Sequence, residues 1–158
     1  MTHQKYTPEA SRVEMTELVL PVDTNNHGNI FGGRLLSLAD KCAAMAAMRH
    51  CRMPVVTVSI DRVDFVRPVK AGMIVILVGE LTATFSSSME VRVTIEGEEP
   101  LTGVSVTACR ALISMVALDD SGHPTPVPPL VLTTDEQRAR AERAKERRAH
   151  RVATRDHF

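Results

Sequence analysis

Aromatic residues are scarce in this sequence. It contains no tryptophan, one tyrosine and four phenylalanines among 158 residues. A core must therefore be filled by aliphatic side chains, alanine and the eight methionines, which pack adaptably. Because 44% of the residues are hydrophobic, the chain can bury one sizeable core, and we predict a single domain over residues 1–158. Its core should span about 14–130, and a charged helical tail about 133–158.

Cysteine is also scarce, and its pattern excludes two classes of site. Cys42, Cys51 and Cys109 are odd in number, and none belongs to a Cys-x-x-Cys pair. A disulfide framework is therefore excluded as the basis of the fold. No cluster of histidine, cysteine and acidic residues has the spacing of metal ligands, so we predict no metal site.

The sequence lacks both an excess of one charge and a long apolar run. Lysine and arginine number 19, as do aspartate and glutamate, which predicts no nucleic-acid partner. No uninterrupted apolar stretch is long enough to span a bilayer, and the polar segment Met1–Val13 lacks the apolar core of a secretory leader. We therefore predict a cytoplasmic protein with no membrane partner.

The hydrophobic pattern predicts an α+β fold. A short strand, Glu14–Leu20, precedes a turn-rich loop, and Ile30–His50 carries small and apolar residues at helical spacing. Period-two patterns then predict consecutive antiparallel strands, the first of them bent by a bulge near Asp61 and Arg62. We expect a five- or six-stranded antiparallel sheet wrapped around one long central helix. The later strands should cover Met73–Phe85, 89–95 and Val104–Leu118.

The C-terminal segment is rich in arginine and alanine. Thr133 and Glu136 have the spacing of a capping box, which would open a helix from about Thr134 to Ala153. Since this helix has no large apolar stripe, the pattern favours a solvated or partly frayed helix. The alternative is that its arginines contact phosphate groups.

Asp40 is the most informative single residue. It lies inside the long predicted helix with Leu36, Ala43 and Ala44 one turn away, where it cannot cap a helix end. Two interpretations remain open at this point. Asp40 either forms an ion pair with Arg34, Lys41 or Arg62 on a solvent-exposed face of the helix, or it is a catalytic carboxylate.

The loop Asp23–Gly33 leads into the same helix and contains three glycines. Free backbone amides and the positive end of the helix dipole at Gly32 and Gly33 would suit an anion or a developing oxyanion. The alternative is a helix start in which glycine serves tight packing. His27 should face solvent, and His50 should complement the negative end of the helix dipole.

The segments Asp23-Thr24-Asn25 and Gly28-Asn29-Ile30-Phe31-Gly32-Gly33, followed by Asp40, closely resemble the short bacterial acyl-CoA thioesterases of the hotdog superfamily. Val63-Asp64-Phe65 with Pro68, the serines at 86–88 and Val127-Pro128-Pro129 also resemble that family and the brain-type acyl-CoA hydrolases. The resemblance covers roughly residues 15 to 150 and implies a hotdog fold.

This resemblance also implies a function and a set of site residues. The function is hydrolysis of acyl-CoA to fatty acid and coenzyme A, without a cofactor. Asp40 would be the base or nucleophile and Asn25 would position water or the thioester, while Gly32 and Gly33 would donate to the oxyanion. Asp64 and Phe65 resemble the segment that lines the pantetheine arm of coenzyme A in that family. The family pattern does not fix the other contacts: Ser86, Ser87 and Ser88, with nearby Arg67 or Lys70, would contact the phosphates or adenine, or the serines form only a loop. The family implies a homodimer with a composite site, assembled into a homohexamer.

Two other functions fit parts of the sequence. A hotdog hydratase would need a catalytic histidine on or beside the helix, and His27 lies in the loop before it. A non-catalytic acyl-CoA sensor would need a DNA-binding module, and no helix-turn-helix pattern precedes residue 15.

Overall fold

Five antiparallel strands and one long helix enclose the core. The computed structural model describes residues 3–155, so residues 1–2 and 156–158 of the predicted domain lie outside the described residues. The strands are β1 (Val13–Leu18), β2 (Val55–Phe65), β3 (Ile74–Thr84), β4 (Ser88–Glu98) and β5 (Ser105–Ala117), and the α-helices are α1 (Pro8–Ser11), α2 (Gly32–Cys51) and α3 (Asp135–Ala153).

The sheet has the order β1-β3-β4-β5-β2, which places β2 at an edge. Its inner face packs against α2, and the predicted α+β architecture is confirmed. The helix comes close to the sheet because most residues on its buried face are small, namely alanine and cysteine. A Cβ atom added at Gly79 would lie 3.0 Å from Cys42 Sγ, so glycine at this position permits the close approach. The buried residues of α2 are Leu35, Leu38, Ala39, Cys42, Ala43, Ala46, Ala47, His50 and Cys51.

Strand β2 is irregular where it pairs with β5. The register shifts between Ile60 and Arg62, which confirms the predicted bulge, and shifts once more between Thr57 and Ser59. Val58 and Asp61 are therefore extra residues with no partner on β5. Two bulges so close together bend the strand and re-aim the side chains beside them.

Helix α3 packs against the outer face of the sheet, so the expected solvated or frayed helix is wrong. Ala141 and Ala144 are buried together with Ala83 and contact Phe85 and Leu132. The contact between α3 and the sheet is made by small alanine side chains, so the sequence shows no stripe of large apolar residues that would indicate it. The N-cap is Thr134, whose side chain pairs with Gln137 in a capping box, rather than the expected Thr133 with Glu136.

No helix of residues 3–155 combines the length and the hydropathy that crossing a membrane requires.

His50 lies near the end of α2, but it does not complement the helix dipole as expected. The imidazole is buried, with Nε2 2.8 Å from the carbonyl oxygen of Pro128. Since a carbonyl only accepts, Nε2 carries the hydrogen, and Nδ1 is buried with no partner among the described residues. Burial lowers the pKa of His50 from its ordinary 6.5, although the Pro128 bond opposes this shift. The neutral ring joins α2 to the segment before α3.

The lowered pKa of His50 predicts a loss of stability in acid. The neutral form is favoured by folding, so its full contribution is present above the unfolded-state pKa and is lost as pH falls below about 6.5. Urea unfolding at a series of pH values should give a free energy of unfolding that declines below this point. His50→Gln should flatten this decline, whereas His123→Gln, at an exposed position, should not. An unchanged decline in His50→Gln would show that other groups cause it.

Candidate active site

Asp40 and Thr57 form a hydrogen-bonded pair between the central helix and the sheet. Thr57 Oγ1 donates to Asp40 Oδ1 at 2.5 Å, which joins the middle of α2 to the edge strand β2. Asp40 is half-buried, and among the described residues its other oxygen, Oδ2, accepts no hydrogen bond. One carboxylate oxygen is thus held in place while the other is available to water or a ligand.

The expected ion pairs of Asp40 are absent from the described residues. Arg34 Nε instead contacts Asp23 Oδ1 at 3.1 Å, and Arg62 Nε contacts Asp64 Oδ2 at 2.8 Å. These two arginines therefore face other acids, and Lys41 pairs with no acid among the described residues, so the interpretation of Asp40 as a surface ion-pair residue is wrong. The carboxylate has a hydroxyl neighbour in place of a countercharge.

Asn25 organises the loop before α2. Its Oδ1 accepts from the backbone amides of His27, at 2.9 Å, and Asn29, at 3.2 Å. Gly28 completes the turn with a φ of 76°, a conformation that glycine adopts without strain. The Asn25 side chain therefore has its oxygen engaged in the loop, and its amide NH₂ group is left to donate. His27 is exposed, as expected.

Gly32 and Gly33 open α2, and neither backbone amide donates a hydrogen bond within the described residues. The N-cap residue Phe31 supplies no side-chain acceptor. Beside them lies a cavity of about 300 Å³ lined by Asn29, Ile30, Gly32, Leu35, Phe65, Val66, Arg67, Pro68 and Val69. Gly32 fits this wall because an added Cβ atom would lie 3.1 Å from Phe65 Cζ. Free amides at a helix N-terminus next to a cavity can bind a negatively charged oxygen.

Within one chain, the amides of this helix start and the Asp40 carboxylate are too far apart for one reacting carbonyl. Asp40 follows Gly32 by eight positions, which is about 12 Å along the helix axis at 1.5 Å per residue. A carbonyl carbon attacked at Asp40 would need its oxygen within about 3 Å of a donor. The donor for that oxygen must come from elsewhere.

The remaining predicted contact residues lie in different places. Phe65 and Arg67 line the cavity at Gly32, whereas Asp64 lies beside a separate hollow with Arg62, Arg92 and Arg110. The serines at 86–88 follow β3 at the opposite end of α2. Ser87 accepts from the amide of Ala117, and Ala117 pairs with Val55, just after the helix ends. One chain therefore does not bring Ser86, Ser87 and Ser88 to Phe65.

Thr57 does not stand out in the sequence. A threonine in an alternating strand is ordinary, and only the bulge at Val58 fixes which face its hydroxyl occupies. The sequence offered one indication of it: Asp40 had no evident partner, and the strand that follows its helix was a place to look for a hydroxyl that could donate to it.

The cysteines are unsuited to nucleophilic chemistry. All three are buried, and burial raises the pKa of Cys42 to about 11. Burial also raises the pKa of Cys51 and Cys109. Since the thiolate is the nucleophile, these groups stay protonated and unreactive near neutral pH. Within residues 3–155, no group of three histidine, cysteine or acidic side chains could hold a metal ion.

The known proteins that this chain resembles in sequence are all thioester hydrolases among those described here. Residues 27–104 match the thioesterase superfamily. The chain is 41% identical to the uncharacterised acyl-CoA thioester hydrolase YkhA of Bacillus subtilis, across 90% of this chain and 88% of that protein. It is 32% identical to the cytosolic acyl coenzyme A thioester hydrolase of Rattus norvegicus across 89% of this chain, which spans 38% of that longer protein.

Solved structures agree with these relatives. A hexameric acyl-CoA thioesterase in its apo form superposes with a TM-score of 0.90 at 41% identity, covering 96% of this chain and 97% of that one. An acyl-CoA hydrolase of Staphylococcus aureus, in complex with butyryl coenzyme A, coenzyme A and coenzyme A disulfide, superposes with a TM-score of 0.86 at 36% identity, covering 94% and 91%.

The Staphylococcus aureus enzyme has also been solved with one aspartate, one threonine or one asparagine replaced by alanine. In that chain the asparagine precedes the aspartate by 15 residues, and the threonine follows the aspartate by 17. With identity this high over nearly the full length of both chains, and with the same arrangement of sheet and central helix, the chain belongs to the thioesterase superfamily and has its hotdog fold.

Proposed function

We propose that this protein is an acyl-CoA thioesterase that hydrolyses acyl-CoA to a fatty acid and coenzyme A. The observation that carries the proposal is the Asp40 carboxylate, half-buried on the central helix and held through one oxygen by Thr57 at 2.5 Å. The names of the relatives support the substrate class. The proposed reaction uses water and no cofactor.

Two chemical routes use Asp40. As a general base, its free oxygen takes a proton from water, and the resulting hydroxide attacks the thioester carbonyl. As a nucleophile, the carboxylate attacks the carbonyl carbon and displaces the coenzyme A thiolate, and water then cleaves the mixed anhydride. In the base route the protonated Asp40 gives its proton to the departing thiolate. In the nucleophilic route the thiolate takes a proton from solvent, and hydrolysis of the anhydride returns one to solvent. A single turnover in H₂¹⁸O tests the nucleophilic route, because ¹⁸O in the Asp40 carboxylate requires an anhydride whose Asp40 carbonyl was attacked by water, whereas the base route labels only the fatty acid.

Two copies of the chain complete the proposed site. Strand β2 is an open edge, and Val56, Val58 and Ile60 on it are exposed. If two copies paired antiparallel along β2, the Phe65 end of one would lie opposite the Val55 end of the other. Since Gly32 contacts Phe65 and Thr57 contacts Asp40, this pairing brings the free amides of one copy toward the carboxylate of the other. The amides that donate to the carbonyl oxygen would then come from the second copy, so the separation of about 12 Å within one chain would not matter.

The same pairing unites the proposed coenzyme A contacts. Ser86, Ser87 and Ser88 lie at the Val55 end of one copy, and Phe65 and Arg67 of the second copy would approach that end. We propose that the cavity at Gly32 takes the pantetheine arm and that Asn25 donates its free amide NH₂ to the thioester or to water. The related hexamer supports assembly of such dimers into a homohexamer.

The Staphylococcus aureus variants support the choice of residues. Asn25 and Asp40 are 15 residues apart in this chain, and Asp40 and Thr57 are 17 apart, as are the residues replaced in that enzyme. Of these three, the structure already joins Asp40 and Thr57 directly.

Thr57→Val should lower kcat by about 10- to 100-fold, because a hydrogen bond to a charged group contributes about 1.5–3 kcal/mol. Without the hydroxyl, the carboxylate is free to turn away from its working position. Thr57→Ser keeps the hydroxyl and should retain most of the activity. Steady-state release of coenzyme A measures the effect, with Thr94→Val on β4 as the matched control. Equal activity in Thr57→Val and Thr94→Val would rule out this role.

A further inference from the structure

We infer that α3 is a positioning element for the active site and that Arg151 is the residue through which it acts. The inference rests on the proposed function. Arg151 Nη1 contacts Asp61 Oδ2 at 2.7 Å, and both side chains are largely buried, with exposed fractions of 25% and 11%. Asp61 is one of the two extra residues of β2, so α3 is bound directly to a bulge.

Asp61 accepts three hydrogen bonds and ties the irregular segment together. Besides Arg151, it accepts from Ser59 Oγ on its own strand at 2.9 Å and from Ser114 Oγ on β5 at 3.2 Å. A bulged segment lacks part of its backbone pairing, so side-chain bonds must fix its conformation. These three contacts supply that constraint.

The segment fixed in this way begins at Thr57. The two register shifts lie between Thr57 and Ser59 and between Ile60 and Arg62, so Thr57 is the last regularly paired residue before the irregular stretch. Its hydroxyl reaches Asp40 over 2.5 Å. A shift of β2 caused by losing the Asp61 contacts would therefore first change the Thr57–Asp40 bond.

Helix α3 is itself held one turn earlier. Arg147 donates twice to Glu90, from Nε at 2.9 Å and from Nη2 at 2.7 Å. Since Arg147 and Arg151 are four residues apart, they lie on one face of the helix. Arg147 binds α3 to β4. The helix therefore does not depend on Arg151 alone to stay packed on the sheet, and loss of Arg151 should affect mainly β2.

Loss of Arg151 should therefore reduce turnover more than substrate binding. Arg151→Met should lower kcat about 2- to 30-fold, the usual range for coupling between non-contacting sites, and should leave KM within about twofold. Arg151→Lys keeps a cation near Asp61 and should recover most of kcat. Arg143→Met is the matched control, because Arg143 lies exposed on the same helix and pairs with no acid among the described residues.

Hydrogen exchange of the backbone amides at 55–61 supplies a readout that does not depend on activity. Exchange there should be faster in Arg151→Met than in Arg143→Met. If Arg151→Met does not fold, Ser59→Ala removes another Asp61 contact and should lower kcat about threefold with faster exchange in the same segment.

Three results would overturn the inference. They are equal kcat in Arg151→Met and Arg143→Met, a rise in KM at constant kcat, or unchanged exchange at 55–61. A wild-type protein that releases no coenzyme A would defeat the proposed function instead, and faster exchange in Arg151→Met would still show that α3 fixes β2.

Discussion

Asp40→Asn is expected to lower kcat at least about 100-fold, which corresponds to about 2.7 kcal/mol of lost transition-state stabilisation. The amide is neither a base nor a nucleophile under these conditions. It keeps the size of the carboxylate, and its oxygen can still accept from Thr57, so KM, folding and assembly should change little. Steady-state release of coenzyme A from a good substrate gives kcat and KM, and size-exclusion chromatography reports the assembly.

The control for Asp40→Asn is Asp120→Asn. Asp120 is an exposed carboxylate in the turn after β5 and makes no side-chain hydrogen bond within the described part of the chain. The same chemical change there should leave kcat within about twofold. If Asp40→Asn kept more than about a tenth of wild-type activity, Asp40 would be neither base nor nucleophile.

Arg147→Met should produce the largest loss of stability, about 3–5 kcal/mol, because it removes one partner of a buried charge pair. Glu90 is only 2% exposed, and its remaining donor would be Thr82 Oγ1 at 2.6 Å. A total stability of about 5–15 kcal/mol is typical of domains, so the variant would be marginal. Urea unfolding at one fixed protein concentration measures the change, since association contributes to the stability of an oligomer.

Two further variants distinguish the effect of leaving Glu90 unpaired from the effect of removing a positively charged side chain from α3. Lys145→Met breaks the exposed pair with Glu142 and should cost less than about 1 kcal/mol. In the double variant Arg147→Met with Glu90→Met, no charge is left unpaired, and most of the stability should return. If the double variant were less stable than Arg147→Met alone, the unpaired Glu90 would not be the cause.

The regular part of the fold could be predicted from the sequence because its patterns are local. The alternation of Val91 and Val93 with Arg92 and Thr94 identifies β4, and the spacing of alanines identifies the buried face of α2. Asp40 drew attention because an acid among apolar neighbours in a helix has no evident structural role, but its spacing left a surface ion pair open, and only the resemblance to the hotdog thioesterases implied that it is a site residue. These signals lie within one element and do not depend on what packs against it.

What could not be predicted depends on contacts between distant elements. Thr57 acquires its role only when the bulge at Val58 sets its direction toward α2. Helix α3 was expected to be solvated because its contact with the sheet uses alanines and long arginine side chains, whose partners Glu90 and Asp61 lie 57 and 90 residues away in sequence. His50 was assigned to the helix dipole because nothing near it in sequence indicates the carbonyl of Pro128.

The most direct test of the proposed hydrolysis is to follow free coenzyme A and bound acyl-CoA together, using wild-type protein and short, medium and long acyl-CoAs. The predicted result is that free coenzyme A accumulates over many turnovers with at least one chain length and that an equal amount of fatty acid forms. Saturable binding of acyl-CoA with no release of coenzyme A at any chain length would contradict hydrolysis and identify the protein as an acyl-CoA sensor.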